Sequence, residues 1–316
     1  MAKNNSDLVG TLSIGNVITT GSILYKSNFK RYFQVSLRAT SWGIAIGASA
    51  VVAAVLGGLL LGLTNSWLVT VPIALAWIGV TFYFLARYAT DRAVICRLAY
   101  QELIDAPETV PVATQRLRPR IWAFLGLSWL LGLYLSLVAL VSSIVLSIGL
   151  FAIVWLLIYG LKLSTDIFLV SLSIGLLTIG LFLVWIVILI RYYAYWFVSE
   201  LPLAIEPNTS ANFSIGRSKR LTTAAAGRVV LVITVAFLIT LPINLLGNIP
   251  AFIGQIMSSP AISTDSSAQT VGGILILVGF ILSLLSELFV MPFWQAIKAI
   301  VYYDLRNRRE GGDLII

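Results

Sequence analysis

One carboxylate sits well inside an apolar run: Glu287, in LSLLSELFVMPF from Leu282. An acid at membrane depth is costly, so Glu287 is a candidate proton site or counter-charge for a cationic solute. The plain alternative is a structural glutamate, protonated or hydrogen-bonded to Ser283, Ser286 or an arginine such as Arg191. Asn244, Asn248 and Gln255 lie close to Pro242 and Pro250 and could line a polar vestibule. Such amides more often tie helices together, at roughly 1 kcal/mol each. Cys96 stands between Arg92 and Arg97, a setting that favours the thiolate, but no base is beside it. The chain has no histidine, which removes the commonest general base and the commonest metal ligand. These residues form no catalytic constellation, so the expectation is a protein without enzymatic activity, metal or cofactor.

A second set of candidates lies outside the apolar runs. Lys26, Lys30 and Arg31 follow an amphipathic stretch, and Arg217, Lys219 and Arg220 sit in NFSIGRSKRL from Asn212. Tyr303, Asp304, Arg306 and Arg309 close the chain in a mixed-sign cluster. Cations next to a membrane span suit anionic lipid headgroups or a protein partner. The bland role of the terminal cluster is to stop the last span and complement its helix dipole. The aromatic groups Tyr192–Phe197 and Phe293–Trp294 read as interfacial belts.

The elements that must position these residues are helices in lipid. Of 316 residues, 59% are apolar and 11% charged, too few charges to cover a water-soluble fold of this size. The apolar runs are Trp42–Leu63, Trp67–Ala86, Ile121–Ser142, Ile144–Leu161, Ile167–Ile190, Val229–Leu246 and Val271–Met291. Each has about the length that crosses a hydrocarbon core of about 30 Å. Twenty of the 21 lysines and arginines fall in four segments: before Trp42, from Arg87 to Arg120, from Arg191 to Arg228, and after Met291. By the positive-inside rule all four face the cytosol, so an even number of crossings separates them. Ile121–Ile190 therefore crosses twice, and Ile144–Leu161 is expected to form a re-entrant or outer interfacial helix. Seven spans would place Arg217, Lys219, Arg220 and Arg228 outside, against that rule. The net charge of +8 is thus accounted for by orientation rather than by nucleic-acid binding.

The predicted architecture is an all-α polytopic bundle of six core transmembrane helices. They are arranged as three repeated hairpins, each with a basic amphipathic lead-in and a return helix that runs on into a charged, aromatic segment. The division is a cytosolic amphipathic segment over residues 1–41, a transmembrane bundle over 42–303 and a charged tail over 304–316. The repeats cover about 14–109, 110–206 and 207–309.

The sequence YYDLRNRREGGDL, from Tyr302 to Leu314, resembles the terminal signature of the glycerophosphoryl diester phosphodiesterase membrane-domain family. IGNVITTGSILYKSNF from Ile14 resembles that family's opening helix, and FSIGRSKRLTTAAAGRV from Phe213 its middle motif. The general flavour is that of cyanobacterial members standing without the catalytic barrel. The resemblance implies a membrane bundle. It does not bring the hydrolytic activity, because the barrel needs histidines and a metal-binding acidic cluster that this chain lacks.

Together these readings predict a non-catalytic integral membrane protein that scaffolds or assists a membrane complex or organises lipid. Its partners would be membrane lipids and other membrane-protein subunits. Both termini would be cytosolic, in a bacterial plasma membrane or a thylakoid membrane. The alternative is a transporter or permease with Glu287 as its intramembrane site.

Overall fold

The computed structural model describes residues 13–64, 66–156, 167–259 and 265–310, and all its regular elements are helical. Helix α1 (Ile14–Ser27) leads into α2 (Phe29–Thr64), and a 3-10 turn at Trp67–Val69 returns the chain through α3 (Thr70–Leu103). Helix α4 (Val110–Leu117) and a 3-10 turn at Arg118–Arg120 precede α5 (Ile121–Trp155), α6 (Ile167–Trp196) and the short α7 (Glu200–Ile205). Helix α8 (Ala211–Thr222) leads into α9 (Ala226–Met257) and α10 (Ser266–Glu310). Six of these, α2, α3, α5, α6, α9 and α10, are long and apolar enough to cross a membrane. The protein is an integral membrane protein built as an all-α bundle.

Local chemistry marks where the lead-in helices begin. Ser13 and Ser210 take extended backbone and accept from the Asn16 and Phe213 amides at 3.2 and 3.3 Å, capping α1 and α8. Pro111 opens α4 in the first turn, where its missing N–H costs nothing. The long helices α9 and α10 run through Pro242, Pro250 and Pro292.

One expectation is corrected. Ile144–Trp155 is no separate re-entrant or interfacial helix. It continues α5, which runs unbroken for 35 residues. Sequence reading split the run at Ser142–Ser143, but both hydroxyls donate back to carbonyls of their own helix. Ser142 reaches Val138 O at 2.6 Å and Ser143 reaches Leu140 O at 2.8 Å, so neither serine breaks it. Residues 157–161 of that run lie outside the described residues.

The core sits at the basic end of the bundle. The main buried cluster is built from α1, α4, α7 and α8 with the adjoining ends of α2, α3, α5, α6, α9 and α10, from Val17 to Leu305. Gly21 of α1 presses so closely on Ile297 and Ile300 of α10 that a Cβ would collide with Ile297. By contrast, no residue is buried in the most apolar stretches of α2, α3, α5 and α6. Those faces carry Val, Leu, Ile and Phe outward, as lipid-facing helices do.

Candidate functional site

The three return helices bring charge together at the basic end. Arg92 comes from α3, Glu200 opens α7 just after α6, and Gln295 and Lys298 come from α10. Glu200 lies 3.3 Å from Arg92 Nη2 and 3.1 Å from Lys298 Nζ. The Gln295 amide, oriented to satisfy both neighbours, donates to Glu200 Oε2 at 2.9 Å and accepts from Arg92 Nε at 3.1 Å. Lys298 is 4% exposed and Gln295 1%. Buried charges of this kind persist only when paired and hydrogen-bonded, and here one carboxylate serves two cations. The Lys298 ammonium also stands 5.9 Å from the Phe197 ring centre, a favourable cation–π distance.

Above this cluster a cavity of about 710 Å³ opens between α6, α9 and α10. This volume falls within the range of about 300–1,000 Å³ for small-molecule sites. Its walls are mainly apolar, with Leu189, Ile190, Ile233, Phe237, Val290 and Met291 prominent. The polar groups that reach it are Arg92, Gln295, Lys298, Glu287, Asn244 and Thr234. From Glu287 to Lys298 it extends about 16 Å along α10, at about 1.5 Å per residue. The cavity is not sealed: Phe237 on its wall is exposed.

Glu287 therefore faces a cavity. Its partner is Tyr88 of α3, whose hydroxyl donates to Glu287 Oε1 at 3.0 Å. The hydrogen-bond partners expected from sequence do not serve it. Ser286 donates to Ile243 O and Leu282 O, and Arg191 is exposed and does not line the cavity. Asn244 lines the wall, while Asn248 is exposed and donates to Asn244 O at 2.7 Å. Arg92, Glu200, Gln295, Lys298 and Tyr88 escaped notice as site residues. The available signal was Lys298 itself, a cation inside QAIKAIVYY, where Ile297, Ala299 and Ile300 are all buried.

The cationic and aromatic residues expected to contact lipid or partners divide into two groups. Arg217 pairs with Glu206 and Glu310, each at 2.6 Å. Asp304 is shared by Arg228 at 3.3 Å and Arg308 at 3.0 Å. Arg306 binds Glu310 at 2.8 Å and donates to the Tyr100 hydroxyl at 2.9 Å. Tyr303 is half-buried, with its ring 6.5 Å from that of Tyr100. These four tie the basic end to itself. Lys26, Lys30, Lys219, Arg220 and Arg309 are exposed, as is Arg31, which reaches Glu102 only at 3.9 Å. Cys96 is fully buried against Gln295, out of reach of solvent.

Compared with protein-family models, with curated proteins and with solved structures, the chain matches none of them.

Proposed function

We propose that this is a non-catalytic membrane protein that holds a membrane amphiphile in the cavity between α6, α9 and α10, as a lipid-organising or accessory component of a membrane complex. The observation that carries this reading is the cavity's division into parts. Its aliphatic walls suit a hydrocarbon chain, and its polar floor, with Glu287 at one level and Arg92 and Lys298 at another, suits a headgroup. Exposed Phe237 marks a side opening by which a lipid enters without leaving the bilayer. On this reading the basic end faces the cytosol, with both termini, in a bacterial plasma or thylakoid membrane.

Mass spectrometry of the full chain, purified in a gentle nonionic detergent, tests the proposal. The expected result is about one amphiphile per chain, lost in Thr234→Trp. Thr234 lines the cavity and its hydroxyl bonds only within α9, to Val230 O at 2.9 Å, so the indole would fill the space with little other cost. A wild-type chain carrying no amphiphile, or a variant that carries as much as the wild type, would overturn the proposal.

A second reading, solute transport, is favoured by the access of Glu287 to the same cavity. It predicts proton-coupled or cation flux in proteoliposomes that Glu287→Gln abolishes. No flux in the wild type, or flux unchanged in the variant, removes it.

A further inference from the structure

A second recess lies outside the amphiphile cavity. It is bounded by α4, the 3-10 turn at Arg118–Arg120, the end of α7 and the turn at 206–209, and encloses about 490 Å³. Three arginines line it: Arg97, Arg116 and Arg120. Arg97 and Arg120 are aimed at the same short segment. Arg97 Nη1 donates to Ala204 O at 2.5 Å, and Arg120 Nη1 donates to Leu203 O at 2.7 Å and Glu206 O at 2.9 Å. Arg120 Nη2 also reaches Thr209 O. The Arg120 guanidinium, at the start of α5, is thus fixed by neutral carbonyls, which hold it without cancelling its charge, while Arg97 from α3 adds one carbonyl to a bond with a carboxylate.

The carboxylates nearby do not balance the arginines. Glu206 lines the recess but is held by Arg217 at 2.6 Å and by the Tyr302 hydroxyl at 3.1 Å. Glu108 serves two cations at once, Arg97 in a fork of two 2.8 Å bonds and Arg116 at 2.5 Å. The hydrogen bond from Arg97 leads the interactions that hold the Glu108 carboxyl below its ordinary range, so it stays ionised and contributes one negative charge. Three guanidinium groups then face one shared carboxylate, with Arg116 more than half exposed. Arg120, on the wall of the recess, directly precedes Ile121, where the charge-free helix α5 begins. The recess therefore stands at headgroup depth.

We propose that this recess binds a phosphate-bearing anion, held in a fork by Arg116 and Arg120. Planar guanidinium groups match phosphate oxygens two at a time, which is why fixed arginines outdo lysines in this role. A lipid phosphate and a soluble phosphate offer the same chemistry, and two arms separate them. The full chain in phospholipid-free nonionic micelles is titrated with inorganic phosphate in one arm. In the other, the micelles are doped with phosphatidic acid. Thermal unfolding is read in both, since a ligand that binds only the folded state raises Tm.

The expected result is a saturable rise in at least one arm, whose midpoint moves about tenfold upward in Arg116→Gln. That variant leaves the Arg97–Glu108 fork in place and changes an exposed side chain, so folding should survive. Arg120→Lys, which keeps the charge but not the fork, should weaken binding in the same arm. Lys219→Gln, at an exposed cation on α8, should leave the midpoint where it was. A rise only with phosphatidic acid assigns a lipid headgroup, and a rise only with phosphate assigns a soluble anion. No rise in either arm, or a rise that both arginine variants leave intact, overturns the proposal.

Discussion

The basic end and the opposite, apolar half of this bundle are held together by different forces. At the basic end, α1, α4, α7 and α8 bury a continuous apolar cluster, and ion pairs cross it between hairpins. At the other end the helices α2, α3, α5 and α6 show their apolar stretches outward with nothing buried. The reason is the solvent. Water drives apolar faces together where amphipathic helices meet it. Lipid is as apolar as leucine, so inside the bilayer only close packing and hydrogen bonds draw helices together. One seam of the apolar half meets that demand. Gly247 and Gly279 bring α9 and α10 into backbone contact, and Gly254 packs on Gly272. The hairpin of α5 and α6 has glycines too, but a Cβ at Gly132, Gly149, Gly175 or Gly180 would meet open space.

The largest effect should come from breaking the basic end. Glu200→Ala would leave Arg92 and Lys298 facing each other around Gln295 with no carboxylate between them. Removing one partner of a buried pair typically costs about 3–5 kcal/mol. Lys298→Met should cost clearly less, because Glu200 keeps Arg92 and Gln295 and the methionine fills the same buried space. Chemical unfolding in mixed micelles measures both. Equal losses in the two variants would show that packing at α10, not charge balance, secures this end.

The six long helices were legible because hydrocarbon imposes length and apolarity on each span separately, and such signals are local. The lead-in helices were legible too, from basic amphipathic stretches such as that before Lys26 and NFSIGRSKRL from Asn212, but their caps Ser13 and Ser210 were not. Glu287 stood out for the same local reason, as one acid in an apolar run. Its partner Tyr88 did not, since the two are 199 residues apart and nothing local ties them. The Arg92–Glu200–Lys298 cluster was hidden in the same way. Each charge sits at the end of a return helix, where charge is expected for orientation, and only their meeting in space makes a cluster. The terminal signature misled in the opposite direction. Asp304 and Arg306 look like an exposed docking tail, but they bind Arg228, Arg308, Glu310 and Tyr100 within the fold. The apolar runs part at Ser142–Ser143 because two adjacent hydroxyls interrupt the apolar pattern. Inside a long apolar helix they return their hydrogen bonds to their own backbone, and no end forms.

A smaller perturbation sharpens the contrast within the apolar half. At Gly279 a Cβ would stand 2.5 Å from the Ala251 nitrogen and 2.8 Å from Gly247 O, both backbone atoms that cannot swing aside. Gly279→Leu should therefore force α9 and α10 apart, at about 1–3 kcal/mol for an overpacked contact. Gly180→Leu on α6 adds the same side chain to open space and, by raising helix propensity, should cost nothing or stabilise slightly. The same unfolding measurement compares the pair. If Gly180→Leu destabilises as much as Gly279→Leu, then α5 and α6 are packed against something that this single chain does not supply, such as a neighbouring subunit. If neither destabilises, backbone proximity is not what joins α9 to α10. Ser286 would then be the next tie to remove, since its hydroxyl reaches Ile243 O across that seam at 3.0 Å.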